Sequence, residues 1–181
     1  MSRELWSALE DLFGRGGASN GCWCMYWIVG AEYHKRPRER NKRALHRAVM
    51  EGPSPGLLAL HETGLALGWC RLTPRAELAW LNRKRDLAPV DDLPVWSLPC
   101  FYVRRGFRRQ GVMAALIDSA VGHARHAGVP ALEAYPVDTS LPGSTHNIFP
   151  GTVSAFSRAG FTVVGRRRHD RPIMRHDLAI T

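Results

Sequence analysis

The sequence predicts a single α/β domain of the mixed (α+β) kind over residues 1–181, and three observations point to it. A chain of 181 residues with 45% hydrophobic content is the right size for one core and cramped for two. The apolar run Val95-Trp96-Ser97-Leu98-Pro99-Cys100-Phe101-Tyr102-Val103 reads as a strand. After a short basic loop, Val112, Leu116, Ala120, Val121 and Ala124 recur at helical spacing until Gly128, and a second strand-like run, Val129 to Val137, follows at once. Strand, helix, strand in that order makes a parallel pair with a right-handed crossover.

The remaining elements follow in order. Glu4 to Phe13 places Leu5, Leu9, Leu12 and Phe13 on one face of a short amphipathic helix that Gly14 ends, and a glycine-rich loop runs to Gly21. Cys22 to Val29 is dense in aromatic and branched residues and is expected as the first strand. Its Trp23, Tyr26 and Trp27 are candidates either for interlayer packing or for the wall of a binding pocket. His34 to Glu51 is basic, with Ala44, Leu45, Ala48 and Val49 as an apolar stripe, and is expected as a helix with a solvated arginine-lysine face. Leu57 to His61 and Leu65 to Leu72 flank Glu62-Thr63-Gly64 as a hairpin. Ala76 to Asp92 reads as a charged insertion with a short helix near Glu77 to Leu81. Beyond Val137, Asp138 to Pro150 is loop-like, Gly151 to Ala159 is helical, and Phe161 to Gly165 and Pro172 to Leu178 are two closing strands.

Charge and cysteine usage narrow the function classes. The net charge is +9, and only Lys35, Lys42 and Lys84 among the 25 basic residues are lysine. Such a balance favours anionic partners. Nucleic acid is the weakest of these, because the basic runs Arg38 to Arg47 and Arg166 to Arg171 have no interleaved aromatic residues on which bases could stack. Cys22, Cys24, Cys70 and Cys100 form no CxxC pair and no second ligand pair follows them, so reduced buried thiols are expected and no metal. No apolar run reaches membrane-spanning length and the N-terminus is too charged for a signal peptide, which predicts a cytoplasmic protein.

The sharpest chemical signal is the loop between strand and long helix, Arg104-Arg105-Gly106-Phe107-Arg108-Arg109-Gln110-Gly111-Val112-Met113-Ala114. The first turn of a helix carries unpaired N–H groups and the positive end of its dipole. Gly111 allows close backbone approach, and the arginines add donors. Arg108-x-x-Gly111-x-Met113, five residues past Val103, resembles the pyrophosphate loop of the GNAT family of N-acetyltransferases, with Met113 standing where that family has Gly or Ala. The resemblance covers roughly Leu57 to Leu178 and is strongest from Val95 to Phe161.

This resemblance implies a mixed central sheet of about six to seven strands flanked by helices, whose central parallel strands splay to admit the pantetheine arm of acetyl-CoA. It implies that backbone at Phe101, Tyr102 and Val103 lines that arm, and that Arg108, Arg109, Gln110, Gly111, Val112, Met113 and Ala114 hold the diphosphate. The implied reaction is direct attack of a primary amine on the thioester in a ternary complex. The acceptor, a small molecule or a protein amine, is left open, as is a homodimer. The proton-transfer groups depart from the family pattern: Ser157 stands at the usual tyrosine position and Ser97 at a usual glutamate position. The remaining candidates are Glu133 as base and Tyr135 as acid, which alternate onto one face of their strand. Strand parity alone leaves open whether that face looks into the slot or into a packing layer. The missing tyrosine keeps a non-catalytic acyl-CoA-binding protein of the same fold as the alternative.

Overall fold

The computed structural model describes residues 1–145 and 147–178. The first helix, α1 (Trp6–Phe13), forms where expected, and Leu9, Leu12 and Phe13 are buried on its inner face. The next segment does not follow expectation. Residues 22–29 make no strand; they form a turn and the one-turn helix α2 (Tyr26–Val29). The reason is local backbone. Trp23 and Cys24 both have positive φ, at 46° and 57°, a conformation outside the strand region. Their strand-like composition reflects fitness for burial rather than for pairing. Trp23 packs on Phe13 with ring centroids 5.5 Å apart, and the Trp27 indole N–H donates to the Pro99 carbonyl at 2.8 Å.

Helix α3 (Arg38–Glu51) begins later than the charge pattern predicts, directly after Pro37, which is extended at ψ 134°. Pro37 is itself the non-helical cap residue, so the helix starts at Arg38. The hairpin is present as β1 (Gly56–Leu60) and β2 (Ala66–Arg71), antiparallel. β3 (Thr73–Pro74), α4 (Ala79–Asn82) and β4 (Trp96–Leu98) follow, then β5 (Phe101–Val103) and α5 (Val112–His126). The chain closes with β6 (Ala131–Ala134), α6 (Val153–Arg158), β7 (Thr162–Arg168) and β8 (Arg171–Asp177).

The eight described strands divide into two sheets. One has the order β1-β2-β5 and the other β3-β4-β6-β8-β7, with β4 and β6 its parallel pair. The run expected as one strand from Val95 to Val103 is therefore two, parted at Pro99-Cys100. Proline has no N–H to give a ladder, so pairing cannot continue through it. Before the break, Trp96 to Leu98 lies against Leu132 to Ala134; after it, Phe101 to Val103 turns away to pair with β2. A gap opens between β5 and the end of β6.

Helix α5 seats this division. Its buried residues Leu116, Ile117, Ala120 and Ala124 cover a core that includes Leu98 and Phe101 from either side of the break, together with Leu132, Phe156 and Phe161. Burying a leucine or isoleucine side chain contributes about 1.5–3 kcal/mol, so Leu116 and Ile117 alone hold the helix firmly. The opposite side of the sheet has its own cluster, Trp27, Leu78, Leu81, Leu87, Tyr135 and Ile173. Thus the charged insertion between β3 and β4 is a packed layer. No described helix is long and apolar enough to cross a membrane.

Candidate active site

The site is built from the two sides of the gap and the start of α5. On β5 the ladder to β2 fixes which backbone groups face where. Arg71 N–H donates to Cys100 O at 3.1 Å, Trp69 stands opposite Tyr102, and Arg104 N–H donates to Leu67 O at 2.8 Å. Alternate residues in an antiparallel ladder point their N–H and C=O to opposite edges. Cys100, Tyr102 and Arg104 are therefore turned to β2, and Phe101 and Val103 are turned to the gap. Tyr102 also packs its ring on Phe13, centroids 5.6 Å apart, away from the gap.

Part of that edge is already engaged. Phe101 N–H donates to Phe149 O at 2.8 Å, and Val103 O accepts the Arg108 Nε–H at 3.2 Å. Across the gap, Val137 N–H donates to Gly151 O at 2.9 Å and Val153 N–H to Val137 O at 3.0 Å. The short run Phe149 to Gly151 thus bridges the base of the gap. Phe101 C=O and Val103 N–H remain directed into it.

At the far end of β5 the chain turns through Arg105 to Gln110 and enters α5 at Gly111, whose φ is 81°. An L side chain is strained there, and Gly111 faces open space: nothing lies within 4 Å of where a Cβ would sit. No side chain caps this helix start, and no acidic residue lies in its first turn. The first intrahelical bond here runs from Ala115 N–H to Gly111 O at 3.0 Å. The N–H groups of Val112, Met113 and Ala114 therefore stand ahead of the helical ladder, at the positive end of a 15-residue dipole. Met113 does not obstruct them. Its methyl end lies against Gly151 and its side chain joins the core, so the side chain at the family's small position points inward. Arg108, Arg109 and Gln110 are exposed around this corner. These groups suit a diphosphate, which needs converging N–H donors, positive charge and room.

Glu133 and Tyr135 are brought together, but in a sealed place. Glu133 is 1% exposed and accepts from Arg75 Nη1 at 3.0 Å and from Arg175 Nη2 at 2.8 Å. Tyr135 is 0% exposed; its hydroxyl lies 2.7 Å from Arg75 Nη1, 2.8 Å from Ser97 Oγ and 3.1 Å from Glu133 Oε2. Arg175 is in turn held by both oxygens of Asp91. Burial and the Glu133 charge push the Tyr135 phenol further up from its usual value. Their face looks onto the layer of Leu78, Leu81 and Leu87. Ser97 belongs to this network as well, so the serine at a family glutamate position has a structural partner.

Sequence reasoning did not find a cavity of about 190 Å³ beside the bridged end of the gap. Tyr26, Trp27 and Phe149 form its aromatic wall, and Lys84, Asp86, Arg168 and Arg171 its charged part. Its charged residues come from the insertion between β3 and β4 and from the facing ends of β7 and β8, which no local pattern links. Of the three aromatic residues expected to wall a pocket, Tyr26 and Trp27 do so here, and Trp23 lies in the separate cluster with Phe13 and Trp69.

Comparison with known proteins gives the fold and the family. No curated protein matches the chain. Among solved structures, an acetyltransferase from Corynebacterium glutamicum described as histone acetyltransferase HPA2 and related acetyltransferase is 18% identical, with a TM-score of 0.59. That alignment covers 100% of this chain and 95% of that one. A GCN5-related N-acetyltransferase from Kribbella flavida is 19% identical with a TM-score of 0.59, covering 98% and 95%. A phosphinothricin acetyltransferase of the GNAT superfamily from Sinorhizobium meliloti, solved with AcCoA, is 16% identical with a TM-score of 0.56, covering 96% and 85%. These likenesses establish the fold. A model of the acetyltransferase (GNAT) family matches residues 21–146, well over half of the sequence, and the chain belongs to that family.

Proposed function

We propose that the protein transfers an acetyl group from acetyl-CoA to a primary amine. The observation that carries this reading is the gap at Pro99-Cys100, lined by the outward backbone of Phe101 and Val103 and ending at the uncapped start of α5. Acetyl-CoA supplies the activated thioester. Val103 N–H and Phe101 C=O would pair with the pantetheine amides as an added strand does. The N–H groups of Val112, Met113 and Ala114, with the Gly111 backbone and the side chains of Arg108, Arg109 and Gln110, would hold the diphosphate. The acceptor would enter by the cavity of Tyr26, Trp27 and Phe149, with Asp86, the one carboxylate among its described lining residues beside the cations Lys84, Arg168 and Arg171, accepting a hydrogen bond from its amine.

Glu133 and Tyr135 take a positioning role in this reading. A carboxylate held by two guanidinium groups is a poor proton acceptor, and a phenol closed off from solvent cannot reach a leaving thiolate. The same observation favours a second reading, a protein that binds acyl-CoA without turnover. Calorimetry with acetyl-CoA, followed by thiol release across a panel of amines, separates the two. Affinity with thiol release supports transfer, affinity alone supports the binding protein, and no affinity rejects both.

A further inference from the structure

All four cysteines are unlinked, yet two of them meet. Cys24 Sγ and Cys100 Sγ are 2.8 Å apart, although 76 positions separate them in sequence. Cys100 sits at the break between β4 and β5, and Cys24 in the left-handed turn that replaces the expected first strand. The Trp69 indole N–H donates to Cys24 Sγ at 3.3 Å. Beside them Arg71, the last residue of β2, is 2% exposed, and its Nε and Nη2 have no hydrogen-bond partner among the described residues. A buried guanidinium without a carboxylate is costly unless an anion lies nearby. Here the ionisable groups beside it are the Cys24 and Cys100 thiols.

The four thiols are also unequal. Burial pushes Cys22 up to about 11 and Cys70 up to about 12. Burial pushes Cys24 the same way, but the hydrogen bond with Cys100, the Arg71 charge and the Trp69 indole outweigh it and hold Cys24 below the usual thiol range. Cys100, the other member of the pair, is correspondingly raised.

We propose that Cys24 and Cys100 are a reversible thiol–disulfide pair, with Cys24, beside the Arg71 guanidinium, as the attacking sulfur. Because Cys24 is 5% exposed and Cys100 partly so, the oxidant is small, a hydroperoxide rather than another protein. The Cys24 thiolate attacks the terminal peroxide oxygen; the O–O bond breaks, leaving a sulfenic acid, and the departing alkoxide or hydroxide takes up a proton. The Cys100 sulfur then attacks the Cys24 sulfur; the S–S bond forms, the S–O bond breaks, and hydroxide leaves as water with the Cys100 proton. In sum, two thiols and one hydroperoxide give a disulfide, an alcohol or water, and a further water. A dithiol reverses it. The linkage would tie the α1–α2 turn to the floor of the gap.

The test uses the full chain and one equivalent of hydrogen peroxide. Intact mass should fall by two hydrogens, free thiols in denaturant should fall from four to two, and non-reducing peptide maps should join Cys24 to Cys100. Dithiothreitol should restore the starting mass. Cys100→Ser should instead accumulate a dimedone-reactive sulfenic acid on Cys24, and Cys24→Ser should abolish rapid oxidation. Wild-type protein that keeps four thiols, or that links a different pair, overturns the proposal without recourse to any variant.

Discussion

Replacing Gly111 tests the diphosphate corner most directly, because two effects can be separated there. Gly111 has φ 81°, so any L residue introduces backbone strain, about 1–2 kcal/mol for alanine and less for asparagine or aspartate, which tolerate this region. No atom lies within 4 Å of the new Cβ, so no clash adds to the strain. Gly111→Asn and Gly111→Asp have nearly the same shape and strain but differ by one negative charge. At roughly 6 Å from a diphosphate, with an effective dielectric of about 20–40, one unit of like charge costs about 1–3 kcal/mol. That corresponds to about 10–100-fold weaker binding of acetyl-CoA by the aspartate than by the asparagine variant. Calorimetry at low salt measures the ratio, which should shrink as ionic strength rises. Thermal unfolding should place both variants within about 2–4 °C of each other, excluding a folding explanation. Equal affinities for the two variants at low salt would refute the placement of the diphosphate at this corner.

Other substitutions probe the buried network and the cavity. Glu133→Ala leaves the buried Arg75 guanidinium without a carboxylate and Arg175 with Asp91 alone, and should destabilise the fold by about 3–5 kcal/mol in chemical denaturation. Tyr135→Phe should cost about 1–3 kcal/mol of stability through its lost bonds to Ser97, Arg75 and Glu133. It should leave the pH profile of thiol release unmoved, whereas a catalytic phenol would lose one limb of that profile. Asp86→Asn should raise KM for the amine with little change in KM for acetyl-CoA, and an unchanged amine KM would remove Asp86 from the acceptor site. Acid stability follows four depressed carboxyls, the first of them Glu10, held down by its hydrogen bond from Lys42. Asp91 is held down by Arg175, Asp138 by Ser140 and Arg166, and Asp170 by the Thr145 N–H and Arg168. Each has a folded value below its unfolded one, so their contribution is complete above about pH 4 and is lost as pH falls below that. Urea midpoints measured from pH 7 to pH 3 should therefore hold level and then drop at the acid end.

Much of this was legible because local chemistry and final structure agree. The α5 stripe of Leu116, Ala120 and Ala124 needs no distant partner to be recognised, and the glycine at its start announces the turn. The hairpin around Glu62-Thr63-Gly64 is equally local. What sequence could not supply depends on sides and on distance. The aromatic run from Cys22 to Val29 carries strand composition, but two consecutive left-handed residues place it in a turn. Glu133 and Tyr135 alternate as strand neighbours must, and only the packed insertion of Leu78 to Leu87 decides which side they face. Pro99 stood in plain view inside an apparent strand; read as a ladder breaker, it locates the gap.

The hydrogen bond from Phe101 to Phe149 has a consequence for any extended molecule that seeks that N–H. Such a visitor exchanges one amide contact for another and must first lift the Phe149 carbonyl away, so the swap at this end is close to neutral. Its residence time would then be governed by what it grips elsewhere, and its arrival rate by how often the bridging run lets go. Shortening the run before Pro150 would speed entry more than it tightened the complex.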